Sequence, residues 1–113
     1  MPKFLISFPS SAMAGLGEDL EAAAVDSHAV VLDAKRAGVW VFGGAIDESF
    51  PPVLVEEDRA VTRGTYPETA NIEGGYAIID APTFEEALSW AARIAKACRC
   101  PQELRVFHDD PQA

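Results

Sequence analysis

Residues 76–98 read YAIIDAPTFEEALSWAARIAKAC and combine the two kinds of element from which a fold class follows. The apolar run Tyr76–Ile79 is typical of a β-strand. Thr83 comes next, with Glu86 three residues later, which is the capping-box signature of a helix start. Beyond it, apolar residues recur at helical spacing and predict a buried helix face, namely Phe84, Leu88, Ala91, Ala95 and Cys98. This stretch therefore predicts a strand joined by a short turn to an amphipathic helix.

The N-terminal half of the chain repeats this strand–helix order. Lys3–Phe8 is a short apolar run and predicts the first strand. Glu18–Ala37 has acidic residues at its start and basic residues at its end, as the helix dipole favours, and Gly38 supplies a C-cap. Small and apolar residues form one narrow stripe along this helix, which we expect to be buried: Leu20, Ala24, Ser27, Val31 and Ala34.

Short apolar runs predict the remaining strands. Val39–Phe42 is one, and Leu104–Phe107 is the last along the chain. Val53–Glu56 and Ala60–Arg63 are expected to pair as a hairpin. The resulting order is strand, helix, strand, hairpin, strand, helix, strand. It predicts a ferredoxin-like α+β sandwich, in which an antiparallel sheet carries two helices on one face.

The second strand indicates how the other face of the sheet is covered. Both faces of Val39–Phe42 are apolar, because Trp40 and Phe42 alternate with two valines. A strand with one face in water would instead alternate between apolar and polar residues. We therefore expect a second copy of the chain to cover the open face, which gives a homodimer. Trp90 lies off the buried stripe of the second helix and is expected to pack against that neighbouring subunit.

Composition limits the class of protein. The chain has 113 residues, 49% hydrophobic and 24% charged, which suits a single domain with a polar tail at 108–113. A formal net charge of −9 argues against nucleic-acid binding, which needs a basic surface. No run approaches the roughly 20 apolar residues of a membrane span, and no signal peptide is expected. Cys98 and Cys100 offer neither a disulfide framework nor a zinc motif. We expect a cytoplasmic protein without metal or cofactor.

The segment Thr62–Asp80, TRGTYPETANIEGGYAIID, resembles the signature of the YCII-related family, in particular its DGPF branch. The positions that fit are Thr62, Gly64, Glu68, Thr69, Gly74, Gly75, Tyr76, Ile79 and Asp80, with Tyr66 in place of the usual Phe. The following helix is similar to the family's E-A-L-x-W-A-x-R element at Ala87, Leu88, Trp90, Ala91 and Arg93. The sequence departs from the branch where Asp, Pro and Lys-Glu are usual, at Arg63, Thr65 and Ala70-Asn71.

This resemblance implies a dimeric ferredoxin-like barrel with a His/Asp site in a cleft. His28 on the first helix fits the histidine of that site, and Asp47, three residues after Gly44, fits the aspartate. Taken alone, His28 is better explained as a helix-surface residue without a chemical role, and Asp47 can be explained as a turn residue. As a pair, the carboxylate would fix the imidazole tautomer, so that the ring could move a proton near neutral pH. The family includes members that act on small aromatic compounds and others that accompany extracytoplasmic-function sigma factors.

Three further residues are candidates for binding a substrate. Arg63 could form paired hydrogen bonds with a carboxylate, and Tyr66 could supply an aromatic wall. Gly44 belongs to a glycine pair that permits close approach of the backbone to a ligand, although a turn or a β-bulge explains such pairs more often. The alternative for Arg63 is an ion pair with a nearby carboxylate, that of Glu56, Glu57 or Glu68.

Two functions therefore stay open. The first is a small-molecule enzyme in which His28 and Asp47 perform acid–base chemistry in a cleft of a homodimer. The second is a non-catalytic module that senses a small ligand or docks a regulatory partner. The presence of His28 and Asp47 favours the enzyme, whereas the departures from the branch motif around Gly64 favour the module.

Overall fold

The computed structural model describes all residues, 1–113. It contains six strands and two α-helices. In chain order these are β1 (Lys3–Phe8), α1 (Asp19–Arg36), β2 (Trp40–Ala45), β3 (Val53–Val55), β4 (Val61–Arg63), β5 (Gly75–Asp80), α2 (Phe84–Cys98) and β6 (Glu103–Val106). Short 3-10 helices occur at Ser10–Met13 and Pro67–Thr69. Every predicted helix and strand is present, and the bounds differ from the predicted ones by at most three residues.

Four strands form one antiparallel sheet in the order β2-β5-β1-β6. Strand β5 lies between β1 and β2 and is antiparallel to both, while β6 pairs with the other edge of β1. This split β-α-β arrangement, with α1 and α2 packed against each other, is the predicted ferredoxin-like α+β fold. Neither helix combines the length and the apolar character needed to cross a membrane.

The hydrophobic core lies between the sheet and the helices, and it is small. Phe4, Ile6 and Ile79 are each at most 2% exposed and pack against the alanines Ala87 and Ala91 of α2. Only 14 of the 113 residues are buried. The helices can approach the sheet closely because their buried positions are largely alanine, and this limits how much apolar surface the single chain covers.

The chain exposes more surface than a folded monomer of its size. Its accessible surface is 8102 Å². Folded monomers of 12.1 kDa expose about 6,000 Å², so the excess is on the order of 2,000 Å² per chain. The Cα radius of gyration, 15.8 Å, likewise exceeds the roughly 13 Å of a compact chain of this length.

Part of the exposed surface lies on strand β2, at the edge of the sheet. The strand bulges at Val41, because Trp40 pairs with Ile79 while Phe42 pairs with Ile78. The bulge keeps Trp40 against the core and places Phe42 on the face without helices, where it is 61% exposed. Both faces of the strand are therefore apolar, as predicted. The simple alternation assumed for it is wrong, because the bulge shifts the register by one residue.

The predicted hairpin is present, but β3 and β4 form a separate two-stranded sheet. Val55 pairs with Val61, and Val53 pairs with Arg63. Because side chains alternate along a strand, these four residues share one face, and Leu54 lies on the other. We call this surface the valine face. Its three valines are exposed: Val53 51%, Val55 68% and Val61 60%.

The predicted buried faces of the two helices are partly wrong. On α1, Leu20 is 53% exposed and Ala24 is also exposed, whereas Ala23 is completely buried. On α2, Phe84 and Leu88 are each 46% exposed. These large side chains lie in the first two turns of their helices, where this chain supplies too little neighbouring structure to cover them. Helical spacing predicted an apolar stripe but could not show which part of it finds a partner.

Trp90 was expected to pack against a neighbouring subunit, and this contact stays a prediction, because Trp90 is only half-buried within its own chain. Its side chain packs against the core of its own chain, and the Arg93 guanidinium lies 4.7 Å from the centroid of its ring. Arg93 also pairs with Asp33 of α1. A single side chain therefore links the outer surfaces of both helices.

Candidate functional site

An apolar cavity of about 180 Å³ lies between the sheet and the two helices. The residues that line it come from five elements and the segment after α2: Ile6 and Phe8 of β1, Ser27 and Val31 of α1, Trp40 and Gly44 of β2, Gly75, Tyr76 and Ala77 of β5, Ile94 and Cys98 of α2, and Gln102. Eight of these twelve residues are hydrophobic. Such a lining favours a ligand that is itself mainly apolar.

Two glycines make room for the aromatic rings in the cavity wall. A Cβ atom on Gly43 would lie 2.2 Å from Cζ2 of Trp40, and one on Gly75 would lie 2.6 Å from Cε1 of Phe8. Both distances are far inside van der Waals contact, so a side chain at either position would displace a ring. Gly43 and Gly75 are therefore required by packing within strands, which is a structural reason other than the turn or β-bulge that was expected. Gly44, the predicted ligand-contacting glycine, lines the cavity.

The cavity contains hydrogen-bond acceptors rather than charges. The hydroxyl of Ser27 donates to the carbonyl oxygen of Ala24 at 3.0 Å, which leaves its oxygen lone pairs free. The side-chain nitrogen of Gln102 donates to the carbonyl oxygen of Cys100 at 3.3 Å, and its side-chain oxygen has no partner. Burial raises the pKa of the Cys98 thiol, so this thiol is uncharged at neutral pH.

His28 follows Ser27 on α1, and it does not line the cavity. Successive helix residues are about 100° apart, so the imidazole projects from the side of the helix adjacent to the one that faces the cavity. His28 is exposed and forms no ion pair with any carboxylate of the chain. The side chain is therefore free to interact with a molecule from outside this chain.

Asp47 follows β2 and is also exposed. Its carboxylate accepts hydrogen bonds from the Ser49 hydroxyl at 2.6 Å and from the Ser49 backbone N–H at 3.0 Å. These bonds stabilise the charged form and lower the pKa of Asp47. No hydrogen bond joins Asp47 to His28, so the contact expected between these two side chains is not formed within one chain. Their catalytic role stays a prediction.

Arg63 and Tyr66 lie away from the cavity. Arg63 is exposed at the end of the valine face and forms no ion pair, so the predicted alternative of a salt bridge to a nearby glutamate is wrong for this chain. Tyr66 is 68% exposed, and its carbonyl oxygen accepts a hydrogen bond from the Thr65 hydroxyl at 2.8 Å. Neither side chain contacts the cavity of its own subunit.

Gln102 is the cavity residue that the sequence did not indicate. It follows Pro101 in a segment without periodicity, so no pattern marks it as a binding residue. The helix before it ends with Arg99 in the left-handed conformation at φ 58°, which reverses the chain and returns Gln102 to the cavity. Cys98 was predicted only as a packing residue, and its position in the cavity wall likewise depends on the tertiary fold.

The fold and the cavity define a ferredoxin-like α+β protein with space for a small molecule between sheet and helices. The sequence signature of the YCII-related domain matches residues 7–99, and the chain therefore belongs to the YCII-related family. Its assignment to the DGPF branch stays a prediction. No curated protein is significantly similar to the chain in sequence.

A solved structure with the same fold is 5-chloro-2-hydroxyhydroquinone dehydrochlorinase from Burkholderia phenoliruptrix AC1100, in complex with 2,5-dihydroxybenzoquinone. The sequence identity is 15%, the similarity covers 97% of each chain, and the TM-score is 0.54. At this identity the similarity establishes a common fold.

Proposed function

We propose that this protein is a small-molecule enzyme that binds a compound of one ring in the cavity between sheet and helices. The observation that carries the proposal is the apolar cavity of about 180 Å³. An apolar protein cavity of about 150 Å³ holds one benzene ring, so the volume suits a single six-membered ring. The 2,5-dihydroxybenzoquinone bound by the structurally similar dehydrochlorinase is also a single ring, which supports a ligand of this size.

The polar groups of the cavity favour a ring that carries a hydroxyl group. Ser27 and Gln102 both offer an oxygen that can accept a hydrogen bond from a ligand. Since no charged side chain lines the cavity, a carboxylate on the ring would lose its hydration without gaining a cation. We therefore expect phenols and hydroquinones to bind more tightly than benzoates.

We assign acid–base chemistry at this cavity to His28 and Asp47. His28 directly follows Ser27, and Asp47 lies three residues after Gly44, and both of these neighbours line the cavity. Imidazole is the side chain best suited to move a proton near neutral pH, here the proton of a ring hydroxyl. The Ser49 hydroxyl and backbone N–H both donate to Oδ1 of Asp47, and Oδ2 has no partner, so this second oxygen is available to orient the imidazole. Neither side chain lines the cavity within one chain, so the proposal requires that His28 and Asp47 turn towards it in the ligand complex.

The enzyme is proposed to act as a homodimer. The excess surface of about 2,000 Å² per chain lies within the range that obligate dimers bury per subunit. The exposed Phe42 on the open face of the sheet, 61% accessible, is the kind of aromatic residue found in the centre of such interfaces.

A second candidate is a non-catalytic module that senses a small ligand. The observation that favours it is the Asp47 carboxylate, which is held by Ser49 and not by His28. In that case the same cavity binds the same class of ligand, and no reaction follows.

Ligand binding is tested with hydroquinone as the probe and two matched valine variants on α1. Val31 lines the cavity, whereas Val25 is 64% exposed on the same helix. We expect Val31→Phe to fill the cavity and weaken binding about tenfold or more, and Val25→Phe to leave it unchanged. Calorimetry gives the affinities, and NMR shift changes at Ser27 and Gln102 locate the ligand. Absence of binding by the wild-type protein, or equal effects of the two variants, would refute a ligand site in this cavity.

Turnover separates the two candidate functions. Wild-type protein is incubated with hydroxylated and halogenated single-ring compounds, and the ring protons are followed by NMR. The enzyme predicts turnover that is lost in His28→Ala and Asp47→Asn and retained in His108→Ala, a histidine variant in the polar tail. Binding without turnover of any compound would support the sensing module instead.

A further inference from the structure

We propose that the β3–β4 hairpin is an arm whose valine face docks on a second copy of this chain. This docking presupposes the homodimer proposed above, and it specifies a segment that forms the dimer and a residue that crosses to the partner. The arm comprises residues 53–63, with Val53, Val55, Val61 and Arg63 on the docking face.

The valine face of the arm has no cover within its own chain. Its two strands pair only with each other and form no ladder with the main sheet. The hydrogen bonds that close it are internal, such as Glu56 N–H to the Ala60 carbonyl oxygen at 2.7 Å and Gly64 N–H to the Pro52 carbonyl oxygen at 3.1 Å. An isolated two-stranded hairpin is at best marginally stable in water. A partner surface is therefore needed to hold the arm in one conformation.

The composition of the valine face is that of a buried surface. Val55 and Val61 are direct cross-strand neighbours and are 68% and 60% exposed. β-Branched residues on both strands of a hairpin normally pack against another layer of structure. The preference of valine for strands comes from side-chain packing and burial, and an exposed valine lacks both contributions. On the opposite face Leu54 is half-buried, whereas the three valines are exposed, so the valine face carries most of the exposed apolar area of the arm.

A second copy of the chain is the partner that accounts for the excess exposed surface. The chain exposes about 2,000 Å² more than a folded monomer of its mass, and a homodimer removes such an excess from both subunits at once. In a two-fold symmetric dimer the two arms make the same contact twice, so three valines per arm bury six in the complex. One interface then explains both the excess exposed surface of the single chain and the uncovered valine face of the arm.

A local ion pair at Arg63 also fits a second copy, and it offsets part of the repulsion between two chains of net charge −9. Arg63 lies at the end of the valine face and has no carboxylate partner in its own chain. The chain carries 18 acidic residues against 9 basic ones, so a second copy offers a surplus of carboxylates. Docking of the arm brings the Arg63 guanidinium to the partner, where it pairs with one of them. Arg63 thus acts across the interface, which accounts for its absence from the cavity of its own subunit.

The primary test measures the dimer dissociation constant by sedimentation for two matched variants. Val55→Asp places a charge on the valine face, and Val25→Asp places the same charge at a valine of similar exposure on α1, 64% against 68%. We expect the first to weaken the dimer by about tenfold or more and the second by less than about twofold, because each substitution counts twice in a symmetric dimer. Circular dichroism checks that both variants keep the main fold.

The outcomes are distinct. A wild-type protein that stays monomeric at all concentrations overturns both the homodimer and the arm. A dimeric wild type that Val55→Asp does not weaken, or that both variants weaken equally, overturns the arm alone. Because aspartate also destabilises a strand, a second measurement uses the intact arm. It places a spin label on Glu57→Cys, while Cys98 and Cys100 are protected by burial at 5% and 6% exposure. In mixed dimers the label must broaden amide signals of the unlabelled partner, and an absence of broadening overturns the proposal.

Discussion

The indole of Trp40 occupies the space in which a side chain on Gly43 would stand, since a Cβ atom there would lie 2.2 Å from Cζ2 of the ring. Trp40 packs on the core and also lines the cavity, so this one contact joins the folding of the sheet to the shape of the candidate site. The next residue, Gly44, has ordinary room for a Cβ atom, with Cζ of Phe42 at 3.5 Å. Two adjacent glycines therefore have different roles.

We expect Gly43→Ala to destabilise the fold and Gly44→Ala to have a small effect. The first substitution must move Trp40 or the strand, and such overpacking costs about 1–3 kcal/mol, whereas the second meets only van der Waals contact. Urea denaturation of both variants measures the difference. Equal free energies of unfolding would show that Trp40 does not occupy this position in solution.

The hydrogen bonds from Ser49 lower the pKa of Asp47, and Ser49→Ala should raise it towards its ordinary value. Because the pKa of Asp47 is lower in the folded chain than in the unfolded one, the ionised carboxylate stabilises the fold. This stabilisation is completely present when the pH is above the pKa that Asp47 has in the unfolded chain. The contribution is lost as the pH falls through the lowered, folded pKa. A carboxyl ¹³C titration by NMR measures the shift, with Ser89→Ala on the surface of α2 as the control. An unchanged pKa in Ser49→Ala would place the hydroxyl elsewhere in solution.

Burial raises the pKa of the Cys98 thiol, and the nearby Cys100 adds to the rise. Since this pKa is higher in the folded chain than in the unfolded one, the fold favours the protonated thiol. The stability that depends on the protonated thiol is present at neutral pH and is lost as the pH rises through the pKa of the folded chain. We expect both thiols to react with a disulfide reagent at least about a hundredfold more slowly in the native protein than in urea. The exposed thiol of Glu57→Cys is the control for reagent access. Fast reaction of the wild-type thiols would mean that the cavity opens readily.

Arg93 contacts both Asp33 and the ring of Trp90, so removal of Arg93 should cost more stability than removal of the Asp33 charge alone. The Arg93 and Asp33 side chains are 44% and 47% exposed, and we expect Asp33→Asn to cost less than about 1 kcal/mol and to lose its effect in high salt. Arg93→Ala also removes the contact with the ring, which adds about 0.5–1 kcal/mol. Urea denaturation at two salt concentrations separates these contributions. Identical losses in both variants would exclude a role for the stacked guanidinium.

The local elements follow from the sequence because their signals are local. Thr83 caps α2 as predicted, and its side-chain oxygen accepts the backbone N–H of Glu86 at 3.2 Å. The order of helices and strands then sufficed to predict the ferredoxin-like sheet, since few topologies connect such elements without crossing. The family was also accessible, because its signature is a run of residues at fixed spacing.

The candidate site was predicted less well, because its residues depend on where distant segments meet. Gly44 lines the cavity as expected, but Gln102 enters it only through the chain reversal at Arg99. The hydrogen bonds that hold Asp47 come from Ser49, two residues away, and none joins it to His28 within one chain. Residue types and their spacing indicate which chemistry is available, but the folded geometry determines which groups form hydrogen bonds.

The sequence by itself determined the helices, the strands, their order and the family of this protein. These features depend on backbone propensity, capping and apolar periodicity, all of which act over a few residues. The tertiary structure decided which apolar surfaces are covered: Ala23 is buried while Leu20 is not, and the valines of the hairpin remain exposed. The physical reason is that periodicity creates an apolar face, but burial requires a second surface to meet it, and that surface belongs to another part of the chain or to another molecule.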